Sequence, residues 1–187
     1  MIHTYIRPFS SKFVSSFVVN LWYGTAHADS SMLEAFCDRV LSWCDNSPSN
    51  IYIALKYLQR LKQLCPHLSG SKGSEVRIFS IALLLASKYL EDRPFNNRTW
   101  SVITGLNSYE TGVMEREFLA CIHYQLHVCE EEFRNWKHFI DTQNQHYQLI
   151  MGQIGLHGYM SPARNFKVVP YIPLQQTAQY YPRVNLI

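Results

Sequence analysis

Lys88 stands inside LLLASKYLED, residues 83–92, a run apolar enough for a protein interior. A buried ammonium without a partner is costly, so this one needs a carboxylate or carbonyl close by. Glu115 is the second charge out of place. At helical spacing its neighbours are Thr111, Phe118, Leu119, Ile122 and Leu126. Glu117 also has apolar neighbours, but it shares its line with polar Glu110. Lys88 and Glu115 would answer one another. The pair is either a structural tie between two core helices or a charged grip at the edge of an apolar groove. In the second case it would hold polar groups of another protein's backbone.

A different chemistry is suggested by CIHYQLHVC, residues 121–129, with Cys121, His123, His127 and Cys129. Histidines at i and i+4 can share a metal on a helix face. Cys121 lies well round the helix from His123, and the helix is expected to end near Leu126, so convergence of the four is not expected. No G-x-S-x-G, H-E-x-x-H or phosphate-binding glycine loop is present. We therefore expect no catalytic residue, no metal, no cofactor and no small-molecule substrate.

The elements that would carry these charges are helices. FSSKFVSSFVVNLWY, from Phe9 to Tyr23, reads as an amphipathic helix. With Arg7 and Lys12 ahead and Ala26-His27-Ala28 behind, it mimics a secretory leader, but Ser15, Ser16 and Asn20 interrupt the apolar stretch. In SSMLEAFCDRVLSWCDN, residues Leu33, Phe36, Cys37, Val40, Leu41 and Cys44 fall at i, i+3, i+4, i+7, i+8 and i+11. Ser30 or Ser31 would cap its start. Ser47 and Pro48 open the next helix, which buries Ile51, Ala54, Leu55, Leu58 and Leu61. Lys56, Arg60 and Lys62 lie off that stripe and read as a solvated basic face. EVRIFSIALLLASKYLED is apolar almost all round, as in a central helix. Its polar residues Arg77, Ser80, Ser87, Lys88 and Glu91 gather with Leu84 on one narrow stripe, which predicts the only meeting point with water or a partner.

A short helix starts at Asn96 or Asn97 and stops at Gly105. Another begins near Asn107, with Glu110 three residues on as in a capping box. A last one covers EEEFRNWKHFIDTQNQHY, where Phe133, Trp136, Phe139 and Ile140 share a face. From about Gly152 the composition turns to Gly, Pro, Gln and Tyr, which predicts extended or disordered chain. The expected organisation is 1–29 helix and linker, 30–150 domain, and 151–187 tail.

With 187 residues, 47% of them hydrophobic, the chain suits one globular domain with a real core. A formal charge of +3 gives no basic arm or stripe, so nucleic acid is not an expected partner. No apolar run approaches a membrane span. Five cysteines, an odd number without a C-x-x-C pair, point to a reducing compartment, nucleus or cytoplasm.

LLLASKYLED, PFNNRTWSVITGLN and MEREFLACIHYQLHV, in this order and spacing, resemble a cyclin box. The resemblance covers about Ser30 to Trp136. NSPS, YLQRL, SKYLED, FNN and the ME-x-EFL pattern are most similar to fungal PCL-type, phosphate-signalling cyclins and plant P-type cyclins. It implies an all-α fold: a single five-helix cyclin box near 30–45, 48–64, 75–91, 97–104 and 108–125, with an N-terminal helix and one extra C-terminal helix. It further implies a regulatory subunit that binds a cyclin-dependent kinase and holds its C-helix in the active position. In that family a lysine of the third box helix and a glutamate of the fifth grip the kinase. Lys88 and Glu115 match those positions, and Leu85, Tyr89, Leu119 and Tyr124 match the surrounding groove. The alternative is a cyclin-fold scaffold, akin to transcription factors, without kinase activation. Gly112 departs from the pattern, standing where relatives often carry asparagine, and ITGLN replaces the usual double-glycine turn. The Met-Arg substrate-docking patch is missing from the first box helix, and no second box is expected. SPAR, at Ser161 to Arg164, resembles the sites such kinases phosphorylate.

Overall fold

The computed structural model describes residues 9–24, 29–41, 48–68 and 70–157, with backbone alone for 153–157. Cys44, Ser47, Ser161 and the residues after 157 lie outside the described residues, as does the Ala26-His27-Ala28 segment. Among the described residues there are seven helices and no strand: α1 (Ser11–Tyr23), α2 (Ser31–Val40), α3 (Ser49–Leu64), α4 (Ser74–Leu90), α5 (Asn97–Thr104), α6 (Ser108–Cys121) and α7 (Glu130–His157). The fold is all-α, as expected from the sequence.

Helix α4 is the centre. From Phe79 to Ser87 every residue is buried. Its main neighbour is α3, which buries Ile51 to Leu58 without a break. Helix α1 is part of the same core: Phe13, Val14, Phe17, Val18 and Trp22 are buried in it. Trp136, Ile140 and Tyr147 bring α7 into it from the other end of the chain.

Several starts and stops follow local chemistry. Ser10 caps α1 and Gly24 ends it in the left-handed region at φ 68°. Asn96 caps α5, accepting from the Thr99 N–H, and Gly105 closes it at φ 77°. The start of α2 differs from expectation. Ser30 makes no side-chain cap; the Asp29 carboxylate accepts from the Ser31 N–H instead. That bond, first among its causes, holds the Asp29 carboxyl down at about 2. At α6, Asn107 accepts from the N–H groups of Tyr109 and Glu110, but Glu110 turns outward to Arg77, 2.9 Å away. The capping box is therefore half made.

Three further expectations are corrected. Helix α6 stops at Cys121, not near Leu126, because His123 and Tyr124 take left-handed conformations at φ 52° and 57°. Helix α7 runs through Gly152 to His157, so the boundary placed at residue 150 falls inside a helix. Gly152 and Gly155 each cost a helix about 1 kcal/mol against Ala, which does not break it. The polar stripe of α4 is a seam, not an open face. Ser80 accepts from the Trp100 indole N–H at 3.0 Å, Arg77 meets Glu110, and Glu91 accepts from Asn50 at 2.6 Å.

Candidate functional site

Lys88 lies in the last turn of α4, where a cation also suits the helix dipole. Glu115 lies mid-way along α6. The two meet: Lys88 Nζ is 2.6 Å from Glu115 Oε1. Asn97, in the first turn of α5, joins them. It accepts from Lys88 Nζ at 2.7 Å and donates to Glu115 Oε2 at 2.9 Å. Three helices thus close one ring of hydrogen bonds. Side-chain exposure is 31% for Lys88 and 14% for Glu115, so the ring sits at the surface, with Lys88 the more exposed of the ion pair. Charge-assisted hydrogen bonds of this kind are the stronger sort. Glu117 is exposed, as its line with Glu110 suggested.

The other expected residues are placed unequally. Tyr89 and Tyr124 are exposed, Tyr124 at 66%. Leu119 is half-buried. Leu85 is only 2% exposed and belongs to the core beneath. Tyr89 stands edge-on to the Tyr57 ring, with its hydroxyl 3.3 Å from His127 Nδ1. The Tyr124 N–H donates to the Leu119 carbonyl at 2.8 Å, which folds the turn back onto the end of α6.

Among the described residues no three His, Cys, Asp or Glu side chains are placed to hold a metal ion. Cys121 instead faces Cys65, whose thiol points at the Cys121 carbonyl, 3.9 Å away. Burial, with Cys65 beside it, pushes the Cys121 thiol up.

The basic face expected on α3 is committed internally. Lys56 is 3% exposed and pairs with Glu132 of α7 at 3.0 Å, over the Trp136 ring. Arg60 meets the same carboxylate at 2.8 Å. Lys62 donates to the Leu68 carbonyl and lies over the Trp22 ring. Burial pushes the Lys56 ammonium down, and Glu132 recovers only part of that. For Glu132, burial pushes the carboxyl up, but Arg60 and Lys56 outweigh it and hold it below the usual range. The sequence reading missed this cluster because Glu132 lies in a separate helix far along the chain.

The family model described as Cyclin matches residues 4–126. The chain belongs to the cyclin family. The match takes in α1 through α6 and stops before α7. This cyclin is 28% identical to Cyclin-P2-1 of Oryza sativa over 111 residues, 59% of this chain and 51% of that one. It is 28% identical to PHO85 cyclin-5 of Saccharomyces cerevisiae over 132 residues, 68% of this chain and 58% of that one. Over a shorter stretch of 60 residues it is 42% identical to the G1/S-specific cyclin pas1 of Schizosaccharomyces pombe, 32% of this chain and 15% of that one. The cyclin spans about half the length of the first two relatives. No solved structure matches it. No helix among the described residues is long and apolar enough to cross a membrane.

Proposed function

We propose that this cyclin is a non-catalytic regulatory subunit that binds a cyclin-dependent kinase and holds its C-helix inward. The observation that carries this reading is the ring of Lys88, Asn97 and Glu115 at the surface, with exposed Tyr89 next to Lys88 along α4 and Tyr124 exposed past the end of α6. The ring leaves one ammonium proton of Lys88 and lone pairs of Glu115 for the backbone of a visitor. A kinase needs its own Lys–Glu pair to orient ATP, and that glutamate rides on the C-helix. A rigid helical face that binds the inward position better than the outward one shifts the population. Going from 1:99 to 99:1 takes about 5.5 kcal/mol of differential binding. A helical face with exposed aromatic side chains and one partly desolvated ion pair is of the right order to supply it.

The relative named PHO85 cyclin-5 makes PHO85 the first trial kinase. The nucleus or cytoplasm is the proposed site of action. The scaffold alternative gains nothing from Lys56, Arg60 and Lys62, which are all engaged within the molecule. Pull-down and phosphotransfer assays with Lys88→Ala and Glu115→Ala test the reading. Each substitution is expected to weaken kinase binding at least tenfold and to lower activation in step. Normal binding and activation by both variants would refute it.

A further inference from the structure

Between α6 and α7 the chain turns through residues 122–129, and α3 grips it by its backbone. Three successive carbonyls are taken by two side chains. The Gln125 oxygen accepts from Arg60 Nη1 at 2.6 Å, the Leu126 oxygen from the Tyr57 hydroxyl at 3.0 Å, and the His127 oxygen from Arg60 Nη2 at 2.8 Å. Arg60 Nη2 also meets Glu132 Oε2 of α7 at 2.8 Å. A planar guanidinium can fork in this way and an ammonium cannot. The turn that is held is strained. His123 and Tyr124 are consecutive non-glycine residues in left-handed conformations, and such residues persist only where their surroundings over-determine them.

We propose that Arg60 is a positioning residue for the partner-binding face. Together with Tyr57 it fixes the left-handed turn that presents Tyr124, and Glu132 ties that turn to the docking of α7. Tyr57 reinforces the arrangement by standing edge-on to Tyr89. Helix α7 lies beyond the residues matched by the family, so a segment outside that match controls part of the face. The inference rests on the kinase-binding reading for the role of Tyr124, and not for the geometry of the turn.

Arg60→Lys keeps a charge opposite Glu132 but loses the fork, and Arg60→Ala loses both. Hydrogen exchange on the full chain reads the turn without any kinase. In Arg60→Lys, exchange in peptides covering 122–128 is expected to rise at least tenfold while α4 stays protected. Binding to PHO85, as the trial kinase, is expected to weaken about tenfold in Arg60→Lys. In a Tyr124→Ala background the same substitution is expected to change affinity less than twofold. Unchanged exchange in both Arg60 variants, or an equal affinity loss with and without Tyr124, would overturn the proposal. Failure of the kinase reading itself shows separately, as normal binding by Lys88→Ala and Glu115→Ala.

Discussion

Two of the three ammonium protons of Lys88 are engaged before any partner arrives, one by Glu115 and one by Asn97. Asn97 serves both charges at once, with its carbonyl to the cation and its amide to the carboxylate. Asn97→Ala is expected to cost about 1 kcal/mol of stability in a denaturant titration, since hydrogen bonds to charged groups are worth about 1.5–3 and this site is partly solvated. Asn97→Asp is expected to cost more than Ala, despite its closer shape, because it sets a second carboxylate against Glu115. The reverse order would show that Asn97 matters only for its shape. Lys88 and Glu115 were legible in the sequence because each charge stood among apolar neighbours. Asn97 was not, because it follows a second asparagine at a helix start, and capping explains both equally well. Arg60 and Lys56 were misread for a related reason: a cation on a helix looks solvated until its distant carboxylate is found.

At the scale of elements, the helices were legible in number and type, and their ends were less so. The pattern placed α4 and α5 to within two residues, because a cap and a glycine bracket the shorter one and an apolar run defines the longer, and the bounds implied by the cyclin-box resemblance lie within one. The end of α6 was hidden because no glycine marks it. The chain leaves the helix through His123 and Tyr124, neither of them the glycine or asparagine that usually marks such an exit. Gly112, inside α6, is a weak point of a different kind. A Cβ added there would lie 3.6 Å from both Arg116 and Asn97, which is ordinary contact. Gly112→Ala is therefore expected to raise stability by about 0.5–1 kcal/mol. A melt that shows a lower midpoint would mean that the first turns of α6 need the glycine for close approach to α5.

For the whole molecule, the core is continuous from Phe9 to Tyr147. Helix α7 is held to it both by Trp136, whose indole donates to the Tyr52 carbonyl at 2.7 Å, and by Glu132 between Lys56 and Arg60. The sequence showed the aromatic face of α7 but not the ionic one. Because the Glu132 carboxyl is held below its ordinary value, the folded state binds its proton less readily than the unfolded chain does. Its contribution is thus complete above the unfolded value of about 4.3 and is lost as the pH falls through the lower folded value. Glu132→Gln is expected to lower stability at pH 7 by about 3 kcal/mol, the low end for a buried pair broken on one side, leaving two cations facing an amide. It is also expected to flatten the loss of stability below pH 4.5. Equal acid sensitivity of the variant and the parent in chemical unfolding would assign that loss to other carboxylates.

The circuit that joins α4, α5 and α6 through Lys88, Asn97 and Glu115 is closed in the free chain. The position of its charges is then set by the fold itself rather than by whatever binds there. Moving the Lys88 ammonium out of line means opening its bonds to both Asn97 and Glu115, so two helices other than its own hold it in place.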